Sequence, residues 1–464
     1  MKNLISICLF IFLIIAFYAM PSEYIATNTV CCFIISLYCA YSVIAYYEIT
    51  LRPSTFFVFA FFIINWQMYI DLMLGNTTVF NIVFINPNTI NKGVILATLS
   101  LLSLSFAYNN FHPRKVRLTQ HRYSPNLQTY FSVIQVLCFL YWVSSLSLDD
   151  FTGQSYLTSG SFDNDKKGYQ DILFNTSQII SLAYFLKNKT SGYKELLLSI
   201  PKAVLYTSVS YTLIKLMSGD RGGAIWTIML YFSAILYSTR KAPKVIYVLL
   251  VAFIGSFIMT SISFSRAFGN QLSFFEKITY LVDNKQVFSD RYSDITFSPA
   301  TRELANSLMC THIALDEVEN NNAELHHGKF HFCYSLTMLP FVGSRIIKVL
   351  DINRMDKSSS EYVTVIHNGE NYTSGLGTTM VADNYLEFGL ISLIFAFMVV
   401  AMILKLADHY FVHMDNSETP AWIIIMILSV SCYAISMPRG YFMFYVKYYL
   451  YALALYGLVT KRIK

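Results

Sequence analysis

The chain has 464 residues, 55% hydrophobic and 13% charged, with a mean hydropathy of +0.46. Soluble domains carry about 25% charged residues, and a soluble fold of this size has no way to hide so much apolar surface. The net charge of +6 comes without any basic tract, which argues against a nucleic-acid partner and for lysine and arginine flanking membrane helices.

Windows of about 20 apolar residues recur along the chain, without the alternation of a transmembrane barrel. The expected fold is an all-α polytopic membrane protein with about twelve transmembrane helices: 4–20, 26–47, 54–75, 93–108, 128–146, 171–186, 196–217, 223–239, 245–263, 380–404, 421–437 and 441–460. The first run follows Lys2 like a signal peptide, but no small-residue cleavage site comes after it, so it reads as a retained helix. With the N-terminus inside, the cytoplasmic connections hold Arg52; Arg114, Lys115, Arg117 and Arg122; Lys187, Lys189 and Lys194; Arg240, Lys241 and Lys244; Lys405; and Lys461, Arg462 and Lys464. The short outer connections hold only Lys92, Lys166, Lys167, Arg221 and Arg439. One alternation satisfies the positive-inside rule from end to end and puts both termini in the cytoplasm.

Three regions follow: nine helices over 1–263, an outer loop over 264–379, and three helices over 380–464. Loops beyond about 15 residues are usually functional or disordered. This one mixes aromatics and aliphatics with charge, as in "FHFCYSLTMLPFVGSRIIKVL", and reads as a packed extracytoplasmic subdomain. Cys310 and Cys333 both lie in it, either as a disulfide or as two thiols; the other six cysteines lie in apolar runs.

The polar residues at the outer face carry the functional argument. "KLMSGDRGGAIW" places Arg221 where a helix runs inward, with its amides and positive dipole end outward and two glycines beside it, an arrangement suited to an anion. "SMPRGYF" repeats the device at Arg439-Gly440. Each arginine alone also fits snorkelling to headgroups or pairing with a carboxylate such as Asp220. In the outer loop, Arg345 follows Gly343-Ser344, a further candidate anion turn, and Arg266 sits at the membrane surface; Arg291, Arg302 and Arg354 are ordinary surface charges as readily as ligands. "HHGKFHFC" contains three of the loop's five histidines, but its spacing does not suit a metal, so no metal or cofactor is expected. His367, in "IHNGENYTSGLGTT", is a candidate proton acceptor. Asp383, Asn384 and Glu387 open the next helix, as functional groups or as acids favoured at a helix N-terminus.

The order "SGDRGGAIW", a large late outer loop, "TTMVADNYLEFGLISLIFAF" directly after it and a closing "PRGYF" resembles the O-antigen polymerase (Wzy) family of oligosaccharide repeat unit polymerases, mainly over 215–464. The resemblance implies a GT-C-like inner-membrane glycosyltransferase, independent of metal and nucleotide sugar, acting on the periplasmic side. It would move a growing glycan from undecaprenyl diphosphate to the non-reducing end of the next lipid-linked repeat unit. Its implied partners are those lipid-linked oligosaccharides, membrane lipids, a chain-length regulator and a flippase. The family's outer-loop arginines map onto Arg221 and Arg439 by motif, and onto Arg266 and Arg345 by loop location alone. On that reading the arginines bind the donor diphosphate and His367 or Glu387 is the base. An O-antigen ligase shares the fold and donor. A lipid-linked oligosaccharide flippase or other transporter is the alternative of another class, less suited to the single long loop.

Overall fold

The computed structural model describes residues 2–49, 51–76, 83–84, 86–113, 125–147, 165–186, 193–218, 220–239, 279, 301–339, 342–372, 375–413, 419–441 and 444–463. Among these residues there are helices and turns and no strand. The expected span 245–263, together with Arg266 and Arg291, lies outside them.

The helices are α1 Lys2–Ala19, α2 Ala26–Ile44, α3 Pro53–Asn65, α4 Gln67–Met73, α5 Ile90–Asn110, α6 Pro125–Val143, α7 Asp165–Phe185, α8 Tyr193–Ser199, α9 Lys202–Met217 and α10 Arg221–Thr239. Six short helices follow: α11 Arg302–Ala305, α12 Leu308–Glu319, α13 Lys329–Thr337, α14 Gly343–Val349, α15 Arg354–Lys357 and α16 Ser359–Asn368. Then come α17 Met380–His413, α18 Ala421–Tyr433 and α19 Phe444–Ile463.

Among the described residues, four helical stretches are long and apolar enough to cross a membrane: Ala26–Ile44, Pro87–Asn110, Gly222–Thr239 and Met380–His413. The pair α3 and α4, bent by 48°, makes a fifth if it is one span. The expected span 196–217 is two helices, because Pro201 interrupts the ladder between α8 and α9. Span 421–437 stops being α-helical at Tyr433 and ends in a 3-10 turn, Met437–Arg439. Large apolar side chains stand exposed at helical spacing on α1 (Leu4, Ile7, Ile11, Ile15) and α6 (Tyr130, Val133, Leu137, Leu140), as a lipid-facing surface requires.

At the centre, α5 packs between α2 and α17. It is buried nearly all round, so its hydroxyls need internal partners. Thr98, Ser100 and Ser103 donate to the carbonyls of Val94, Leu96 and Leu99, four residues back. Ser42 and Ser105 join α2 to α5 at 2.7 Å. Such small polar contacts are how helices recognise one another where lipid supplies no hydrophobic drive.

The two ends of the α5–α17 pair differ. At one end Arg52, fully buried, meets Asp408 at 2.8 Å and gives its other hydrogens to the carbonyls of Val43, Ile44 and Ile49. At the other end, α11 to α16 form a subdomain seated on α3, α5 and the start of α17. Lys92 and Tyr385 both bond Glu319. His312 is buried with its ring nitrogens 2.9 Å from the hydroxyls of Tyr69 and Thr89. Gly93 makes room for this pair, since a Cβ there would lie 2.3 Å from Tyr69 Oη.

Helix α17 is broken at Phe388 and Gly389. Gly389 has φ +63°, which only glycine adopts at little cost, so the sequence sets the kink there. Residues 380–387 are all buried beneath the subdomain, and the part after the kink runs down the bundle.

Candidate functional site

Arg221 is the first residue of α10; its side chain lies outside the described part. The turn before it is described. Asp220 takes the Gly222 and Gly223 amides on Oδ1, at 3.1 and 3.4 Å, and Lys215 on Oδ2 at 2.8 Å. Asp220 is therefore a helix N-cap, and it occupies the two amides that the sequence offered to an anion. Lys215 also reaches Asp171 at 2.9 Å, and Tyr211 donates to the same Asp171 at 3.1 Å. Burial works against the charge of Asp220, but Lys215 and the two amides outweigh it and hold the carboxyl below the usual range. Gly223 fits because a Cβ there would meet Tyr211 Oη at 3.0 Å.

The second Arg-Gly pair lies at the same end of the bundle. Trp226, five residues into α10, packs on Tyr433 at 5.6 Å and Tyr448 at 6.4 Å between ring centroids. Tyr433 ends α18, and after a three-residue turn comes the 3-10 turn Met437–Arg439. Both pairs thus flank one aromatic stack. Arg439 is half-buried and, among the described residues, has no ion-pair partner. It faces α12: burial pushes the Cys310 thiol up to about 12, and the nearby Arg439 guanidinium opposes that rise. Tyr441 packs on Tyr334 at 4.3 Å.

Behind Tyr441 is a buried polar cluster. Asp383 accepts from Ser359 Oγ at 2.6 Å and Tyr334 Oη at 3.2 Å. Ser358 caps α16 by accepting from Glu361 N at 3.1 Å, the capping box legible in "SSSEY".

Glu387 sits at the kink. It is fully buried, and its oxygens take the Gly328 amide, the His331 amide at 2.8 Å and His331 Nδ1 at 2.9 Å. The carboxylate thus caps α13, and no oxygen faces solvent for direct contact with a substrate. His331 is partly exposed. Burial disfavours its charge, but the bond to Glu387 and the charges of Asp383 and Glu387 outweigh this and raise its pKa. A partly exposed imidazole held by a carboxylate is suited to proton transfer.

His367 is exposed in the last turn of α16, eight residues from Ser359 and so about 12 Å along the helix from the Asp383 cluster. Arg345 is exposed on α14. Gly343 beside it is explained by packing, since a Cβ there would lie 1.9 Å from the Leu336 carbonyl oxygen. The Gly343-Ser344 pair is thus a point of close helix contact. Cys310 and Cys333 are both buried free thiols, turned to the Gly377 and Asp356 carbonyls respectively, which removes the disulfide alternative. Among the described residues no three His, Cys, Asp or Glu side chains are grouped to hold a metal ion. His326, one of the five loop histidines, instead bonds Asp356 at 3.1 Å.

His331 and the Lys215–Asp171 pair are what sequence reasoning missed. His331 was legible only as one letter of "HHGKFHFC", because its partner Glu387 lies 56 residues away. No protein-family model matches the chain, and no curated protein or solved structure matches it.

Proposed function

We propose that the protein is an inner-membrane polysaccharide polymerase of GT-C-like, twelve-span architecture, with both termini cytoplasmic and the 264–379 subdomain periplasmic. It transfers a growing glycan from undecaprenyl diphosphate to the non-reducing end of a lipid-linked repeat unit, in O-antigen or similar surface polysaccharide synthesis. The observation that carries this reading is the packing of Trp226 on Tyr433 at 5.6 Å, which brings two helix segments that each lie within six residues of an Arg-Gly pair together, with Tyr441 beside the second pair packed on the subdomain's Tyr334.

The leaving group is a lipid diphosphate, and negative charge grows on its bridging oxygen as the glycosidic bond breaks. Guanidinium groups aimed at that charge stabilise the transition state, each worth about 10²–10³ in rate. Arg221 and Arg439 take this role, with Arg345 and Arg266 as further candidates from the loop. Because Asp220 fills the α10 amides, the contribution of "SGDRGG" falls on the arginine side chain. The acceptor hydroxyl loses its proton to an imidazole. His367 is exposed for it, and Glu387 serves indirectly, by holding His331. A chain-length regulator and a flippase complete the expected partners.

Deletion of the gene and electrophoresis of the surface polysaccharide test the proposal. Single repeat units on the acceptor identify a polymerase, complete loss of attached glycan a ligase, and blocked export a flippase. Arg221→Ala and Arg439→Ala are expected to give the single-unit pattern in protein that still inserts. Normal ladders from both remove the diphosphate assignment.

A further inference from the structure

We infer that a cavity between α6, α7 and α9 binds one hydroxylated six-membered ring of pyranose size. The cavity measures about 150 Å³ and is lined by Trp142, Ser145, Gly168, Asp171, Lys215 and Ser218, among others. An apolar cavity of about 150 Å³ takes benzene, so a single six-membered ring fits the volume.

The lining sets the chemistry. Trp142, packed against Tyr211 at 4.7 Å, offers an apolar ring surface. Lys215 spends two of its three hydrogens on Asp171 and Asp220, leaving one for a ligand oxygen. The Asp171 oxygens each accept one bond, from Tyr211 and Lys215, and each retains acceptor capacity for a ligand hydroxyl. Ser145 and Ser218 donate to the Trp142 and Lys215 carbonyls, so their oxygens face a ligand as acceptors. Acceptors beside a single spare donor match a molecule rich in hydroxyl groups. Among the described side chains one lysine faces two aspartates, a net negative balance that disfavours phosphate. An apolar ring offers nothing to the remaining Lys215 hydrogen or to the spare acceptor capacity of Asp171.

The cavity opens beside the Asp220 cap, next to the start of α10. The lining chemistry stands by itself. It rests on the proposed function only in assigning the ring to a sugar of the lipid-linked substrate, held next to Arg221.

Direct binding separates the two ideas. The purified full-length protein in detergent is titrated with a panel of methyl hexopyranosides while tryptophan fluorescence is recorded. Cyclohexanol and inorganic phosphate serve as apolar and anionic controls. A saturable change with at least one glycoside, and none with either control, is expected. Gly168→Leu adds a side chain at the cavity lining, where a Cβ meets nothing within 4 Å, and leucine favours the helix. It should weaken the glycoside at least tenfold, as should Lys215→Met where that variant folds. No saturable response to any glycoside, an unchanged affinity in Gly168→Leu, or an equal response to cyclohexanol or phosphate overturns the inference. Glycoside binding in a protein without polymerase activity keeps the cavity and removes only the assignment to that substrate.

Discussion

Lys215 and Asp220 close the turn between α9 and α10: the ammonium lies 2.8 Å from one carboxylate oxygen while the other receives the amides of Gly222 and Gly223. Asp220→Ala removes the cap and one of the two anions facing Lys215, and is expected to cost about 1–2 kcal/mol. Asp220→Asn keeps a good capping oxygen and should recover more than half of that. Thermal unfolding of the two purified variants in detergent checks the order.

Glu387 and His331 join the kink of α17 to the start of α13. Glu387→Ala removes the acceptor of the Gly328 and His331 amides, and each buried group left unpaired costs about 1–3 kcal/mol. Limited proteolysis should then cut within 320–340 well before the membrane helices. The pH dependence has a definite sign. The folded pKa of His331 is raised above 6.5, so the pair stabilises fully below pH 6.5 and the contribution fades as pH rises through the folded value. Glu387→Gln should flatten that alkaline decline.

His312 behaves in the opposite sense. Burial lowers its pKa from 6.5 to about 3, so the folded state refuses a proton that the unfolded chain accepts. Its stabilisation is present above pH 6.5 and is lost as pH falls toward 3. Between pH 6.5 and 4.5 the loss is about 2–3 kcal/mol at one pKa unit per 1.36 kcal/mol. Comparing unfolding of the protein with His312→Asn across this range should show a shallower acid slope in the variant.

Gly343 and Gly93 are contact points between elements. Alanine at Gly343 meets the Leu336 carbonyl oxygen at 1.9 Å, and at Gly93 meets Tyr69 Oη at 2.3 Å and His312 at 2.9 Å. Each is expected to destabilise by about 1–3 kcal/mol, as overpacking does. Chemical denaturation checks both, with Gly168→Ala, where the added methyl meets nothing, as a helix control expected not to destabilise.

Local features of the fold were legible in the chain because they depend on near neighbours. Apolar runs mark several of the long helices, Pro201 marks the break between α8 and α9, and "SSSEY" spells the cap of α16. Asp220 was legible too. An aspartate just before a helix start is a capping signal, and here it caps α10 while also pairing with Lys215. The Asp383–Tyr334–Ser359 cluster and the His331–Glu387 pair were not legible. They join residues 24 to 56 positions apart through a kink at Gly389 that no hydropathy pattern marks. Twelve spans follow from hydropathy and charge. Among the described residues fewer helices are both long and apolar enough to cross in one piece: Pro201 divides 196–217, and Asp165–Phe185 opens with four charges.

The central claim is glycan transfer between lipid diphosphates at the Arg-Gly turns. Its most direct test uses the purified full-length protein in proteoliposomes, supplied with the lipid-linked repeat unit extracted from a strain lacking the gene. The account predicts a ladder of longer lipid-linked glycans without added nucleotide sugar, free undecaprenyl diphosphate released once per joining step, and at least a hundredfold slower ladder growth in Arg439→Ala. Repeat units that stay single in the presence of the folded wild-type protein would contradict it.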